Sequence, residues 1–367
     1  MPTHFFRIEM LPARHGDALW IEYGTPERTR RILIDGGPIN AWADVEARLR
    51  KLPPGDQGVE LVVISHVDTD HIEGLVRLMA DAETRWPIVP NEIWFNGWRH
   101  VAEADTLGGR EGEFLSALIH RRAFSRWNTA FGGAAVCVGK LDGDRVELED
   151  GMRLTLVSPS ARSLAALEKD WVENVEKWAI GPGDLDAAWA QLVDANRFHP
   201  DSALTLGPED LSARLLAVLK GRDSGAANGS SIAFLAEHAG KSCLFLADAH
   251  PKVVCEALRL QGYSSERPLK VDALKMSHHG SKNNITRELL ELVDARHYLV
   301  STNGDKFGHP DREAIEAVIQ GSRRKPTLWF NYTTDHNVEW KLASRQPGAR
   351  FRTRYPRSGK SGIVVKL

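Results

Sequence analysis

"SHVDTDHIEG", residues 65–74, decides how the rest of the chain is read. It follows "VELVVI" (59–64), a short apolar run with the β-branched content of a buried strand. The residues after it, "HIEGLVRLMADAE" (71–83), carry helical periodicity, so a helix is expected to begin just after His71. A strand-to-helix turn is tight enough to aim several side chains at one point. This one holds His66, Asp68 and Asp70 at alternate positions, with His71 directly following. Imidazole and carboxylate together suit zinc, manganese or iron and disfavour an all-oxygen calcium site. One histidine beside one aspartate would mean little, but four ligand-type residues in six positions are far rarer.

Two further stretches repeat the pattern. "LFLADAH" (244–250) ends an apolar run with Asp248, and "ALKMSHHGSK" (273–282) ends another with His278 and His279. Three strand ends on one edge would make a dinuclear site, with Asp248 bridging ions about 3.5–4 Å apart. Blander readings stand beside this one. Asp248 could cap the helix expected over 251–261, and the histidine pair could belong to a polar turn.

The remaining pattern is strands in meanders with helices increasingly interleaved. "HFFRIEML" reads as a strand, and "ALWIEYG" with "RRILIDGG" as a hairpin across "TPERT". "NEIWFNG" is a further strand. Hairpins follow over 144–159, around "EDG", and over 230–248, turning at "HAGK". Strands "VDALKMS", "HYLVSTN" and "TLWFNYT" then alternate with helices near 251–261, 285–294 and 311–320, and the chain closes on "SGIVVKL". The expectation is an α/β (α+β) chain forming one domain over 1–367. Two sheets pack together with helices outside, and helical insertions lie at about 100–135 and 161–220.

Composition bounds the function. The chain has 367 residues, 42% hydrophobic and 26% charged, as soluble globular proteins do. A net charge of −2 excludes a global basic field for nucleic acid, although "SRRK" (322–325) and "RFRTRYPR" (350–357) cluster arginine locally. Cys137, Cys243 and Cys255 form no close pair, which argues against a disulfide framework and for a reducing compartment. The N-terminus lacks the apolar stretch of a signal peptide, and no run is long enough for a membrane helix. A cytoplasmic, soluble protein with no membrane partner is expected.

The order of these pieces resembles the metallo-β-lactamase superfamily, whose signature is His-x-His-x-Asp-His. Aspartate in place of the second histidine, at Asp68, resembles the hydrolase (nuclease) domain of the ComEC family of competence proteins, here without its membrane part. "RHGDALWIEYG", "ILIDGG", "NGSSIAFLAEHAGKSCLFLAD", "LKMSHHGSK" and "FGHP" (307–310) match that branch in order. The resemblance covers about 1–95, 140–160 and 225–320. It implies an αββα sandwich and two divalent ions, zinc or manganese, with magnesium a third candidate. It further implies that His66 and Asp68 bind one ion, that Asp70, His71 and His278 bind the other, and that Asp248 lies between. His278 is taken as the ligand because it comes first after "KMS"; His279 is placed with the catalytic group, and which of the two meets the metal stays open. The chain departs from the family pattern at Ala247, where glycine is usual. It also lacks a third single-ion histidine, and Asn228, Ser230 and Ser231 stand in that region instead.

The chemistry that follows is metal-assisted hydrolysis, with the cations activating a water and polarising the scissile group. Asp70 could also accept the water proton. Lys282 and His309 are candidates to contact a phosphate or protonate a leaving oxygen; a free surface lysine and a turn before a helix are the bland alternatives. Asp35 is expected to orient a ligand histidine, unless it only forms the turn before Gly36-Gly37. An Asp68 ligand adds oxygen character, which moves preference towards manganese or magnesium, the usual partners of phosphate oxygens. The leading expectation is therefore a phosphodiesterase or nuclease with a phosphodiester substrate, nucleic acid included. The alternatives are a lactone, thioester or lactam hydrolase and a non-catalytic metal-binding subunit. The tryptophans in "RWN", "DWVENVEKW" and "AAWAQL" fit core positions or, less commonly, platforms for stacked bases.

Overall fold

The structure is a computed structural model and describes residues 3–101, 110–122, 124–175, 180–198 and 225–367. Parts of both expected insertions, at 102–109, 176–179 and 199–224, lie outside the described residues.

The first strands are β1 (Phe5–Met10), β2 (Leu19–Thr25), β3 (Arg28–Ile34), β4 (Gly58–Val63) and β5 (Val89–Trp94). Next come β6 (Arg145–Glu147), β7 (Arg153–Ser158), β8 (Ala233–His238), β9 (Lys241–Phe245), β10 (Leu269–Lys275), β11 (Val293–Val300), β12 (Thr327–Phe330) and β13 (Arg352–Arg354). The closing strand β14 (Ile363–Lys366) pairs with β1. They form a six-stranded sheet, ordered β14-β1-β2-β3-β4-β5, and an eight-stranded sheet, ordered β13 to β6 in sequence. β1–β2–β3 and β6–β7–β8–β9 are antiparallel; short connections join these neighbours except β7 and β8, which residues 159–232 separate. β14 is antiparallel to β1, and helical crossovers make β3–β4–β5 in one sheet and β9 to β13 in the other parallel.

Alternation along the strands explains the layers. In β1, Phe6, Ile8 and Met10 point inward while Arg7 and Glu9 point out. They share one buried cluster with Leu156, Phe234 and Phe245 of the other sheet. The opposite faces of the strands, such as Trp20 and Val62 on one side and Leu244 and Tyr298 on the other, pack against helices. The result is an αββα sandwich.

Several expectations shift. The helix expected after His71 runs from Thr69 to Ala80, because Asp68 takes the extended N-cap position. Asp70 and His71 therefore sit in its first turn. Helices Trp42–Leu49 and Val338–Ala343 carry no strong signal and were not anticipated. Helix Arg110–Arg121 ends well before 135; beyond it the chain runs beside β5, with Ile93 N donating to Arg126 O and Phe95 N to Asn128 Oδ1. Within "RFRTRYPR", Arg352–Arg354 is an edge strand whose exposed arginines discourage pairing with another sheet. Cys137, Cys243 and Cys255 are buried, and among the described residues none forms a disulfide. Among the described residues no helix is long and apolar enough to cross a membrane.

The parallel strands β3, β4, β9, β10 and β11 all end at one edge. Chain leaving a parallel sheet there is where such folds place ligands, and every candidate metal residue lies on it.

Candidate metal centre

Three histidine rings are fixed by acceptors on their Nδ1 side. His71 Nδ1 lies 2.8 Å from Asp35 Oδ2. Asp35 also accepts from Ser65 N and Ser65 Oγ, each at 2.7 Å, and Ser65 Oγ is 2.9 Å from His66 Nδ1. His279 Nδ1 lies 2.9 Å from Ser301 O. Carboxylate and carbonyl oxygens only accept, so Nδ1 of His71 and His279 carries a proton and Nε2 is the atom each ring can turn to a cation. The relay through Ser65 sets His66 the same way. Asp35 thus serves two rings.

All three Nε2 atoms, together with Asp248 Oδ1, are buried with no hydrogen-bond partner among the described residues. They converge. Asp248 Oδ2 is 3.5 Å from His71 Nε2, 3.9 Å from His66 Nε2 and 3.8 Å from His279 Nε2. Asp70 Oδ2 is 3.4 Å from His279 Nε2, and Asp68 Oδ2 is 3.5 Å from His66 Nε2. Ligands about 2.0–2.2 Å from a tetrahedral ion stand about 3.3–3.5 Å apart. Among the described residues, two groups are close enough to hold an ion: His66, His71 and Asp248, and Asp70, His71 and His279. Buried lone pairs with no donor, at ligand spacing, fit divalent metal.

Backbone strain aims these groups. Ala247 adopts φ +46° just before Asp248, which is why glycine suits that position better. His278, His279 and Gly280 are all left-handed, at φ +47°, +54° and +88°. This turn sends the two imidazoles apart. His279, fully buried, faces Asp70 and His71, the place expected for His278. His278 reaches Asp248 Oδ2 at 3.8 Å and has the Asn228 amide 3.4 Å from its Nδ1. A side chain at Gly280 would also collide with Pro310.

Electrostatics follows from burial of mixed charges. Burial disfavours an imidazolium at His279, yet Asp248 and Asp17 overcome it and hold the ring up at about 10. His71 is likewise raised against burial by Asp248 and Asp35. Burial would raise Asp248, but His71, His279 and His278 hold it well below the carboxylate range. Protons on these rings occupy the positions that a cation would take, so metal binding must release them.

Sequence reading missed a second layer. Asp17 Oδ2 is 2.5 Å from Lys275 Nζ, both fully buried, and Asp17 Oδ1 is 3.6 Å from His279 Nδ1. The signals were present: a lysine inside the apolar run "VDALKMS" and an aspartate after Gly16. Gly16 is required because a side chain there would strike the Asp70 carbonyl. His15 is a further neighbour; burial holds it down at about 4 despite Asp70 nearby.

The remaining candidates separate. His309 lies at the mouth, its ring 5.5 Å from that of His278 and its Nδ1 3.4 Å from Asp311 Oδ1. Lys282, expected on a phosphate, is on the surface, where its Nζ pairs with Glu313 at 3.0 Å. The Asp311 carboxylate accepts from Lys282 N and brings the helix carrying Glu313 alongside. Trp127 is buried, donating to Phe95 O at 2.8 Å, and Trp189 packs beside the same core. Trp178 and the Trp171 side chain lie outside the described residues.

No protein-family model matches the sequence, and no curated protein matches it. Solved structures similar to it include the metallo-β-lactamase fold protein YhfI from Bacillus subtilis, at 11% identity over all of both chains with TM-score 0.41. Zinc-bound PqqB from Methylobacterium extorquens is 10% identical, over 98% of this chain and 100% of that one, with TM-score 0.41. A diphosphatase of the PhnP family is 10% identical over 98% of each chain, with TM-score 0.39. Likenesses this distant decide nothing about activity, and the functional reading rests on the side chains above.

Proposed function

We propose that the chain is a metal-dependent phosphodiesterase with nucleic acid among its substrates. One observation carries the reading: three imidazoles, each with Nδ1 tied to an acceptor, turn unpartnered Nε2 atoms onto one buried carboxylate. His66, Asp68 and Asp248 would hold one ion, with His278 as a fourth group. Asp70, His71, His279 and Asp248 would hold the other. Bound there, two divalent ions supply Lewis acidity and an activated water.

The protein's own part is positioning. Asp35 and Ser65 fix the rings of His66 and His71. Asp17 and Ser301 fix His279. Asp70, in the first turn of its helix, can take a proton from the water. His309, its Nδ1 3.4 Å from Asp311 Oδ1, is the candidate to contact the phosphate or leaving oxygen, although burial lowers its hold on a proton. Asp68 brings oxygen where imidazole would favour zinc, which supports manganese or magnesium and, through them, phosphate oxygens. Three buried cysteines outside any disulfide suit a reducing, cytoplasmic setting.

The test is a substrate panel. Bis-p-nitrophenyl phosphate, single- and double-stranded DNA, RNA, a lactone and a lactam are each assayed with manganese, magnesium and zinc. Phosphodiesters should be cleaved and the lactone and lactam left. Efficient lactone or lactam hydrolysis with every phosphodiester untouched overturns the proposal.

A further inference from the structure

The mouth of the metal centre carries an aromatic ring that the core does not use. Among the described residues Phe307 is the one phenylalanine, tyrosine or tryptophan that is exposed, at 40%. It belongs to none of the apolar clusters that build the layers. Its ring neighbours are the histidines of the mouth: His15 at 6.3 Å, His278 at 6.5 Å and His309 at 6.0 Å between ring centres. His278 in turn reaches Asp248 Oδ2 at 3.8 Å. One imidazole therefore separates an open apolar ring from the carboxylate on which both ions would meet.

The ring stands on a pinned turn. Beyond β11 the chain is tied to the loop before β2, where Asn303 N donates to Arg14 O at 2.8 Å. Gly308 N donates to Gly304 O at 2.9 Å and closes the turn that presents Asp305, Lys306 and Phe307. Gly304 takes φ +82°, a conformation that favours glycine. Asp311 N donates to Gly280 O at 3.0 Å and fixes the far end to the turn that carries His278 and His279. Lys306 Nζ stands 4.5 Å from the Phe307 ring centre on an exposed, flexible stem, and the 40% is what stays open with it in place. A lone exposed phenylalanine elsewhere on the surface would need no explanation. This one is held at both ends of its loop, beside the place where a substrate must enter.

We propose that Phe307 is a stacking platform for an unpaired nucleobase, and that the strand the centre takes is single-stranded. A base stacks on an aromatic side chain through a face that a duplex keeps covered by its neighbours. The inference rests on the phosphodiesterase reading and deepens it: the ions would hold the scissile phosphate, and Phe307 the base joined to it. Every base has such a face, so the platform selects strandedness and not sequence.

The experiment compares the manganese-loaded full chain with Phe307→Ala on a short thymidine strand, the same strand made abasic, and its duplex with adenine. The parent should cleave the single strand at a lower KM than either of the others. Phe307→Ala should raise that KM about tenfold or more, as loss of one stacked base does. It should keep kcat and metal content and treat the abasic strand as the parent does, and Phe307→Trp should restore the parent's KM. Irradiation with a strand carrying 5-iodouracil, which needs contact and no cleavage, should attach the base to Phe307, read by peptide mass spectrometry. The inference is overturned, with the phosphodiesterase reading intact, if Phe307→Ala cleaves the single strand like the parent, if the abasic strand loses as much, or if the duplex is the better substrate. It is also overturned if bis-p-nitrophenyl phosphate is hydrolysed and no strand is cleaved or cross-linked. Cross-linking at Phe307 with no phosphodiester hydrolysed would instead keep the platform and overturn the catalytic reading.

Discussion

Asp248 Oδ2 stands 3.5 Å from His71 Nε2, too long for a good hydrogen bond and right for two ligands of one ion. The same oxygen is within 3.9 Å of His66 and His279. One carboxylate at the end of β9 thus collects groups from β4, the helix that follows it, and the turn after β10. The fold converges on this atom, and the predictions test what holds it in place.

Asp35 orients both His66 and His71, the first through Ser65. Asp35→Asn keeps the shape but offers an amide donor where an acceptor is needed. Metal affinity should fall about 10–100-fold, as loss of an outer-shell partner typically costs. Competition against a fluorescent chelator measures it; parent-like affinity would show that Asp35 only shapes the turn.

Asp68 is the least buried of the candidate ligands, its side chain a quarter exposed. Asp68→His should raise zinc affinity relative to manganese, because imidazole suits zinc better than a harder ion. Equal ratios in a paired titration of parent and variant would contradict this.

Lys275 and Asp17 are a fully buried ion pair. Lys275→Met strands a buried carboxylate next to His279 and should cost about 3–5 kcal/mol of stability. Adding Asp17→Asn should recover most of that loss. Urea unfolding of the single and double variants decides it; a single variant within about 1 kcal/mol of the parent would mean that water or protonation relieves Asp17.

Glu113 is buried, and burial with Asp184 nearby raises its carboxyl to about 7, although Gly183 N opposes the rise. The native state therefore binds a proton more tightly than the unfolded chain. Below the ordinary carboxylate range both states are protonated and nothing is lost. Between there and about pH 7 stability falls as pH rises, by up to about 3 kcal/mol, and the loss persists above. Glu113→Gln should flatten this part of the profile, so the variant gains on the parent from pH 5 to pH 8. Melting temperatures that track each other across that range would refute the assignment.

Much of this was legible in the sequence. Strand ends read as apolar runs broken by ligand residues, because each ligand is local to its strand. The meanders were legible because their alternation and turns are local too. The choice between His278 and His279 was not. It depends on three consecutive left-handed residues, whose rotation no neighbouring residue announces. Asp17 and Lys275 lie 258 positions apart, so only the folded chain pairs them. For Lys282 the sequence left a phosphate contact and a surface lysine side by side, and its pairing with Glu313 was not legible because Glu313 comes to it from a separate helix.

The most direct test of the account is metal content by mass spectrometry, after manganese or zinc loading and removal of excess. The parent chain should carry two divalent ions. Asp248→Ala, folded by circular dichroism, should lose most of both, since a bridging ligand serves two ions. A parent chain that retains no metal, or an Asp248→Ala protein at full occupancy, would contradict the dinuclear centre.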